Sequence, residues 1–392
     1  MTPPARAQAA VELLDVIIGG AREGGAAADT LIGRYFATRR YAGSKDRRAV
    51  RELVYAAIRG AGELPASGRA AMLALADRDP AIAAAFDGSP HGPAPIAADE
   101  PRAQPGAAPA WIAELLRASH IDPASLTARA PLDVRVNRLK ATRDAVLADL
   151  PEAQPTPHAP DGLRFPTGFN VDTLTAYRDG LIEVQDEGSQ IVGAALGARP
   201  GDRIVDLCAG AGGKTLALAA AMANEGAILA CDTDRGRLSR LRPRAERAGA
   251  TIIETRLLNP GREGEALADR HGMADGVLID APCSGTGTWR RNPEARWRLT
   301  PSRLDRLAET QRHVLATGAP LVRPGGTLVY IVCSLLDREG SDQIDAFLAT
   351  HPRWASETPV PPCGEPRGKG VRLTPSLCGT DGFFVARLRR AC

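Results

Sequence analysis

Past residue 200 or so, short apolar runs alternate with longer amphipathic stretches. This is the pattern of a parallel β-sheet covered by helices, an α/β fold. The apolar runs predict strands at 203–207, 227–231, 251–257, 276–280 and 326–332. Helices are expected near 213–223, 234–248, 262–270, 302–318 and 338–349. Val371-Arg372-Leu373 and Phe383 to Leu388 add two more strands around a turn at Thr380-Asp381-Gly382, a hairpin expected to enter the sheet antiparallel.

Upstream the period changes. From about residue 6 to 86, apolar residues recur at helical spacing: Ala9, Leu13, Val16 and Ile17, then Leu31, Tyr35 and Phe36, then Val50, Leu53, Val54, Ala57 and Ile58. Gly19-Gly20 and Gly24-Gly25 are expected to break the first two helices apart. Residues 87–109 turn rich in Pro, Gly and Ala and read as a linker or long surface loop. A helix near 111–119 follows. Pro131 to Leu139 then alternates apolar and polar positions as a half-buried strand does. With a helix at 143–149 and strand-like pieces near 163–165 and 181–184, this stretch predicts a small α+β unit.

Composition narrows the class. Of 392 residues, 44% are hydrophobic and 24% charged, and no apolar run is long enough to cross a bilayer. The opening Met1-Thr2-Pro3-Pro4-Ala5-Arg6 lacks the order of a secretory signal, so a cytoplasmic protein without a membrane partner is expected. Seven cysteines at irregular spacing suggest no disulfide framework, and no Cys/His cluster has metal-ligand spacing. The net charge of +3 says little, but its distribution says more. Arg34, Arg39, Arg40, Lys45, Arg47, Arg48 and Arg51 form one basic cluster; Arg290, Arg291, Arg296, Arg298, Arg303, Arg306 and Arg312 form another. Together they favour a phosphate backbone as partner, with Arg135, Arg138 and Lys140 as further candidates to face it.

Two cysteines stand where a strand should end. Cys283 lies in Leu278-Ile279-Asp280-Ala281-Pro282-Cys283-Ser284-Gly285-Thr286-Gly287, and Cys333 in Tyr330-Ile331-Val332-Cys333-Ser334-Leu335. Both thiols should emerge at the carboxyl edge of the sheet, where ligands and chemistry gather in open α/β folds. A third strand ends in Asp206-Leu207-Cys208-Ala209-Gly210-Ala211-Gly212-Gly213-Lys214-Thr215, a glycine-rich turn opening a helix. It lacks the third glycine of a nicotinamide fingerprint, and Cys208 stands where a phosphate loop needs its leading glycine. The remaining candidate is S-adenosylmethionine, with Asp232 at the end of the next strand placed for the ribose hydroxyls. A thiolate that adds to the ring carbon beside C5 of a pyrimidine turns the ring into an enamine, making C5 able to attack a methyl donor. A second thiol and a carboxylate at the adjacent strand end supply the remaining functions. Cys208, Cys231, Cys363, Cys378 and Cys392 carry no such argument.

Asp280-Ala281-Pro282-Cys283-Ser284-Gly285-Thr286-Gly287, taken with Val332-Cys333-Ser334, resembles the Nop/Sun (RsmB-type) family of RNA 5-methylcytosine methyltransferases. Val184 to Gln190, Asp206 to Ala209, Thr288-Trp289-Arg290-Arg291-Asn292-Pro293 and Gly379 to Phe384 extend the match over residues 131 to 392. The resemblance implies a Rossmann-like class I methyltransferase domain at 186–392. Before it would come a small α+β (RRM-like) RNA-binding unit at 110–185, and a helical NusB-like RNA-binding domain at 1–86. It implies that Cys333 is the nucleophile toward carbon 6 of cytosine, that Cys283 assists product release, and that Asp280 binds the target base. Cys208, Ala209, Gly210, Ala211, Gly212, Gly213 and Lys214, with Asp232 and Asp280, would hold the methyl donor; Lys214 also belongs to the catalytic set. Two departures stand out: Ala211 replaces the family's usual proline, and no acid follows the third strand in Ile252 to Asn259. The substrate expected is ribosomal small-subunit RNA and the protein a monomer. A transfer RNA substrate, or an assembly factor with an inert methyltransferase domain, are the competing readings.

Overall fold

The computed structural model describes residues 1–357 and 361–392, which form two compact units. Unit 1 comprises Met1–Arg129 together with Thr288–Pro301; unit 2 comprises Ala130–Gly287 and Ser302–Cys392.

Unit 1 is helical. Its first helix, Pro3–Glu23, starts where the Thr2 hydroxyl caps the Ala5 N–H and two prolines pre-set the first turn. It ends at Gly24, whose φ of 73° lets its N–H close back on Gly20 O. The expected break at Gly19-Gly20 does not occur: both glycines lie inside the helix, and Gly20 gives the Leu31 side chain room to approach. Helices Ala28–Ala37, Ser44–Gly60 and Gly68–Ala76 pack on it around Leu13, Leu14, Ile17, Val54, Ile58, Met72 and Leu73. Val16, grouped with the core by its spacing, is instead 49% exposed. The Pro-rich stretch read as a linker is anchored within this unit: Ala103 N–H bonds Ala70 O, Gly62 N–H bonds Gln104 O, and Ala103 is buried.

The segment Thr288–Pro301 completes the core of unit 1 from far along the chain. Trp297 joins its apolar cluster. Glu294 Oε1 accepts the Ala28 N–H at 2.9 Å, capping a helix that has no capping side chain of its own. Arg296, fully buried, donates to Ile58 O at 2.6 Å and Ala61 O at 2.8 Å, at the C-terminus of Ser44–Gly60.

Unit 2 holds two sheets. The smaller has strands β1 (Leu132–Val136), β2 (Gln154–Pro155), β3 (Gly162–Phe165) and β4 (Ile182–Val184), in the antiparallel order β2-β3-β1-β4. The larger has β5 (Arg203–Asp206), β6 (Ala227–Asp232), β7 (Ile253–Leu257), β8 (Ala274–Asp280), β9 (Val322–Val332), β10 (Trp354–Glu357), β11 (Glu365–Arg367), β12 (Gly370–Leu373) and β13 (Phe383–Arg390). Its order is β11-β12-β13-β9-β8-β5-β6-β7, with β10 on the far part of β13. β5 to β9 are mutually parallel, and β13 enters antiparallel beside β9, as the tail pattern predicts. The helix expected at 234–248 is two pieces, Arg235–Leu238 and Leu241–Ala248, with Pro243 in the first turn of the second. Among the described residues no helix is long and apolar enough to cross a membrane.

Candidate active site

Chain order fixes where the chemistry gathers. β6 and β7 extend the sheet to one side of β5, whereas β8 and β9 lie on the other, so the direction of winding reverses between β5 and β8. A crevice opens at the carboxyl ends of strands at such a reversal. Asp206, Asp232 and Asp280 end β5, β6 and β8, and Cys333 follows β9 at once.

The glycine-rich turn leaves β5 and enters the helix Gly213–Ala221. Ala209 N–H bonds Cys231 O at 2.9 Å, and Gly210 N–H bonds Asp232 Oδ2 at 2.7 Å. Asp232 Oδ1 accepts Asp234 N–H at 2.7 Å, leaving a lone pair on each oxygen for a ligand's hydroxyls. Gly210 has φ +55° and nothing within 4 Å of where a Cβ would sit, so the backbone borders open space. Ala211, the departure from the resembled family's usual proline, has its carbonyl held by Arg244 Nη1 at 2.6 Å, and Arg244 also bonds Glu183 of β4 at 2.9 Å.

Behind the turn, Asp206 is buried. One oxygen accepts the Thr215 hydroxyl at 2.7 Å; the other has no partner. Burial, opposed by the Thr215 bond, pushes this carboxyl up to about 7. Burial, with the Asp206, Asp232 and Asp280 carboxylates, pushes the Cys208 thiol well up and keeps it neutral. An unpartnered buried acid beside an open glycine turn fits a ligand that brings a cation and hydroxyls, as S-adenosylmethionine does.

The two thiols meet. Cys283 Sγ and Cys333 Sγ are 3.3 Å apart and both half-buried. Hydrogen bonding to Cys333, then burial, raises the Cys283 thiol well above its ordinary value, so it stays protonated. Lys214 reaches across the crevice from the helix after β5 to Asp280 Oδ2 at 2.6 Å. Burial disfavours its charge, but Asp280 outweighs burial and raises the ammonium, with a lesser contribution from neighbouring Cys333. Lys214 is thus a buried cation within electrostatic reach of Cys333.

Some expected residues lie elsewhere. Arg296 and Arg298 are spent on backbone carbonyls of unit 1, Arg298 on Gly25 O and Ala26 O, because this segment is core rather than a wet face. Arg290 is buried as well. The second basic cluster is therefore divided: Arg303, Arg306 and Arg312 lie exposed on the helix Pro301–Gly318. In the small sheet, Arg135 is buried on Gln185 at 2.8 Å, whereas Arg138 and Lys140 are exposed, with Lys140 Nζ bonding Asp179 O and Arg247 O. Sequence reasoning missed Arg244, Gln311 and Glu339. Gln311 donates to Pro282 O and to Glu339, both at 2.9 Å. Only the serine after each thiol, in the two motifs, hinted at a shared partner. Among the described residues no group of three or more His, Cys, Asp or Glu side chains is arranged to hold a metal ion.

The family model described as "16S rRNA methyltransferase RsmB/F" matches residues 193–389. The chain is 40% identical over 267 residues to "Ribosomal RNA small subunit methyltransferase B" of Salmonella arizonae; the match covers 66% of this chain and 60% of that relative. The chain thus spans about 60% of the length of the curated relatives it matches. The crystal structure of PH0851 superposes with a TM-score of 0.78 at 25% identity, covering all of both chains. NSun6 from Pyrococcus horikoshii, solved with SFG, gives a TM-score of 0.61 over 68% of this chain and 93% of its own, and at 20% identity shares the fold alone.

Proposed function

Because the chain belongs to the 16S rRNA methyltransferase RsmB/F family, we propose that it methylates C5 of a cytosine in RNA, with small-subunit ribosomal RNA as substrate and S-adenosylmethionine as donor. It would do so as a cytoplasmic monomer. The observation that carries this reading is the 3.3 Å approach of Cys283 and Cys333 beside the Lys214–Asp280 pair. The donor, when bound along Cys208 to Lys214 and Asp232, supplies an electrophilic methyl group; the unpartnered Asp206 oxygen offers a carboxylate to its positive charge.

The protein's own groups do the rest. The resemblance gives the nucleophile's role to Cys333, which lies within electrostatic reach of the Lys214 ammonium, and product release to Cys283, whose thiol is raised. Cys333 Sγ bonds to carbon 6 and the ring electrons move toward C5 and N3; N3 takes a proton from water, to which it returns it when the 5,6 double bond is restored, and Asp280 hydrogen-bonds the cytosine edge to stabilise that protonated form. C5 then takes the methyl group and keeps its hydrogen for the moment. Once Cys333 is a thioether, the largest cause that raised Cys283 is weakened, and Cys283 is the sulfur left to act as base. As its thiolate it takes the C5 proton; the electrons left behind restore the 5,6 double bond and expel Cys333 as a thiolate. The target base must leave its stack to reach the crevice.

The helical region 1–86 and the α+β stretch 110–185 would hold the RNA backbone, the former through exposed Arg34, Arg40, Lys45, Arg47 and Arg48. Mapping 5-methylcytosines by bisulfite sequencing of ribosomal and transfer RNA, with and without the gene, tests the reading. The expected result is one or more ribosomal cytosines that lose their methyl group with the gene, and fail to regain it from a Cys333→Ala copy. Unchanged methylation in both RNAs would overturn it.

A further inference from the structure

We infer that Glu339 is a positioning residue that sets the spacing of the two thiols by holding the loop of each with a single carboxylate. Glu339 belongs to the helical turn Asp337–Glu339 after β9 and is fully buried. Its Oε1 accepts the Ser284 N–H at 2.8 Å and the Gln311 amide at 2.9 Å. Its Oε2 accepts the Ser334 hydroxyl at 2.6 Å and the Ser284 hydroxyl. Ser284 follows Cys283 in the chain and Ser334 follows Cys333, so each thiol is one residue from a group fixed by this carboxylate. The two serine hydroxyls also lie 3.2 Å from each other, and the Thr286 hydroxyl lies 3.2 Å from that of Ser334 while accepting Leu335 N–H at 2.8 Å.

The loops beyond β8 and β9 carry the two sulfurs, which are 3.3 Å apart. A buried carboxylate with four neutral donors resists any movement of them, because each lost bond leaves it short of solvation in a place water does not reach. The side chain lies behind the loops and all of its bonds go to the protein, so it acts through the thiols without touching substrate.

The test reads spacing directly. Phenylarsine oxide bridges two nearby thiols: arsenic bonds to both sulfurs, and its oxygen leaves with the two thiol protons as water, with no change of oxidation state. Full-length protein is treated with the arsenical, and capture at Cys283 and Cys333 is followed by peptide mass spectrometry, with Cys283→Ser as the one-thiol baseline. Glu339→Asp keeps the charge but is one methylene short; it should reach one loop only and lose capture toward that baseline. Ser334→Ala, which leaves the carboxylate but cuts its tie to the Cys333 loop, should lose capture in the same way. Glu339→Gln keeps the span, and because hydroxyls rotate to accept from its amide it should retain capture. Wild-type capture by both Glu339→Asp and Ser334→Ala, or a Glu339→Gln loss as large as that of Glu339→Asp, would overturn the assignment. The kinetic arm rests on the proposed methyl transfer. There Glu339→Asp should lower kcat about 10²-fold, the effect of a displacement near 1 Å, and leave KM for the methyl donor unchanged. If wild-type protein captures the arsenical as expected but methylates no RNA, the function fails and the positioning role stands.

Discussion

Asp206 is placed where function opposes stability. Its carboxyl is buried, has one hydrogen bond, and is pushed up to about 7 from an ordinary 3.8, first of all by burial. An acid whose folded value lies above its unfolded value holds its proton better in the folded state. Between these two values the folded protein therefore binds more protons than the unfolded chain, and stability falls as pH rises. Each pH unit in that window costs about 1.4 kcal/mol, so the full penalty above pH 7 is about 4 kcal/mol. Asp206→Asn removes the titration and keeps an acceptor for the Thr215 hydroxyl. Its stability advantage over the wild type should be small near pH 4, grow through pH 7 and then level off. Thermal melts of both proteins from pH 4 to 9, compared as differences, read this directly, since the other titrating groups cancel. S-adenosylmethionine binding by calorimetry should weaken in the variant, because the donor's positive charge loses its carboxylate. A stability difference that does not vary with pH would refute the placement of an ionisable, under-partnered acid at the end of β5.

The other expectations concern the crevice. Cys283→Ala should leave bond formation by Cys333 intact and remove the step that frees the product, so a covalent protein–RNA adduct should accumulate as a retarded band on a denaturing gel. The Cys283→Ala, Cys333→Ala double variant should lack that band, and a band that persists would reverse or discard the two roles. Lys214→Met removes the cation beside Cys333 and the 2.6 Å bond to Asp280. It should lower single-turnover methyl transfer by about 10²–10³-fold, the usual loss when one preorganised charged donor is deleted. A change below tenfold would mean that Lys214 only packs.

Much of this site is written locally in the chain. Strand, small-residue turn and helix follow one another in Arg203 to Ala221, so periodicity alone placed the glycine turn and Asp206. The thiols were legible for the same reason: each ends an apolar run, and neighbouring parallel strands bring such ends together. Glu339 was not legible, because the bonds that define it run to Gln311 and Ser284, 28 and 55 positions away, and a buried acid looks like a surface acid in one dimension. Arg296 misled for the converse reason. It lies in an arginine-rich stretch typical of a wet face, but the stretch is core, and only the carbonyls of Ile58 and Ala61 explain its charge. Gly19-Gly20 misled because helix ends are chosen by capping and packing as well as by propensity: twenty-one residues with a capped start tolerate two glycines, and at Gly20 the Leu31 side chain needs the space.

The segment Thr288–Pro301 bears on how such a protein can be cut, swapped or inherited in parts. Residue 129 looks like a natural seam, yet Trp297, Glu294 and Arg296 belong to the module on the other side of it. A chain begun at residue 130 would carry an apolar and charged strip made for a core that is no longer there, and should aggregate unless Trp297 and its neighbours are replaced by polar residues. Exchange of the helical module between relatives likewise requires two separate stretches of gene to travel together. Recombination at a single crossover would pair one module's helices with another's Thr288–Pro301, so the two stretches are expected to change in concert.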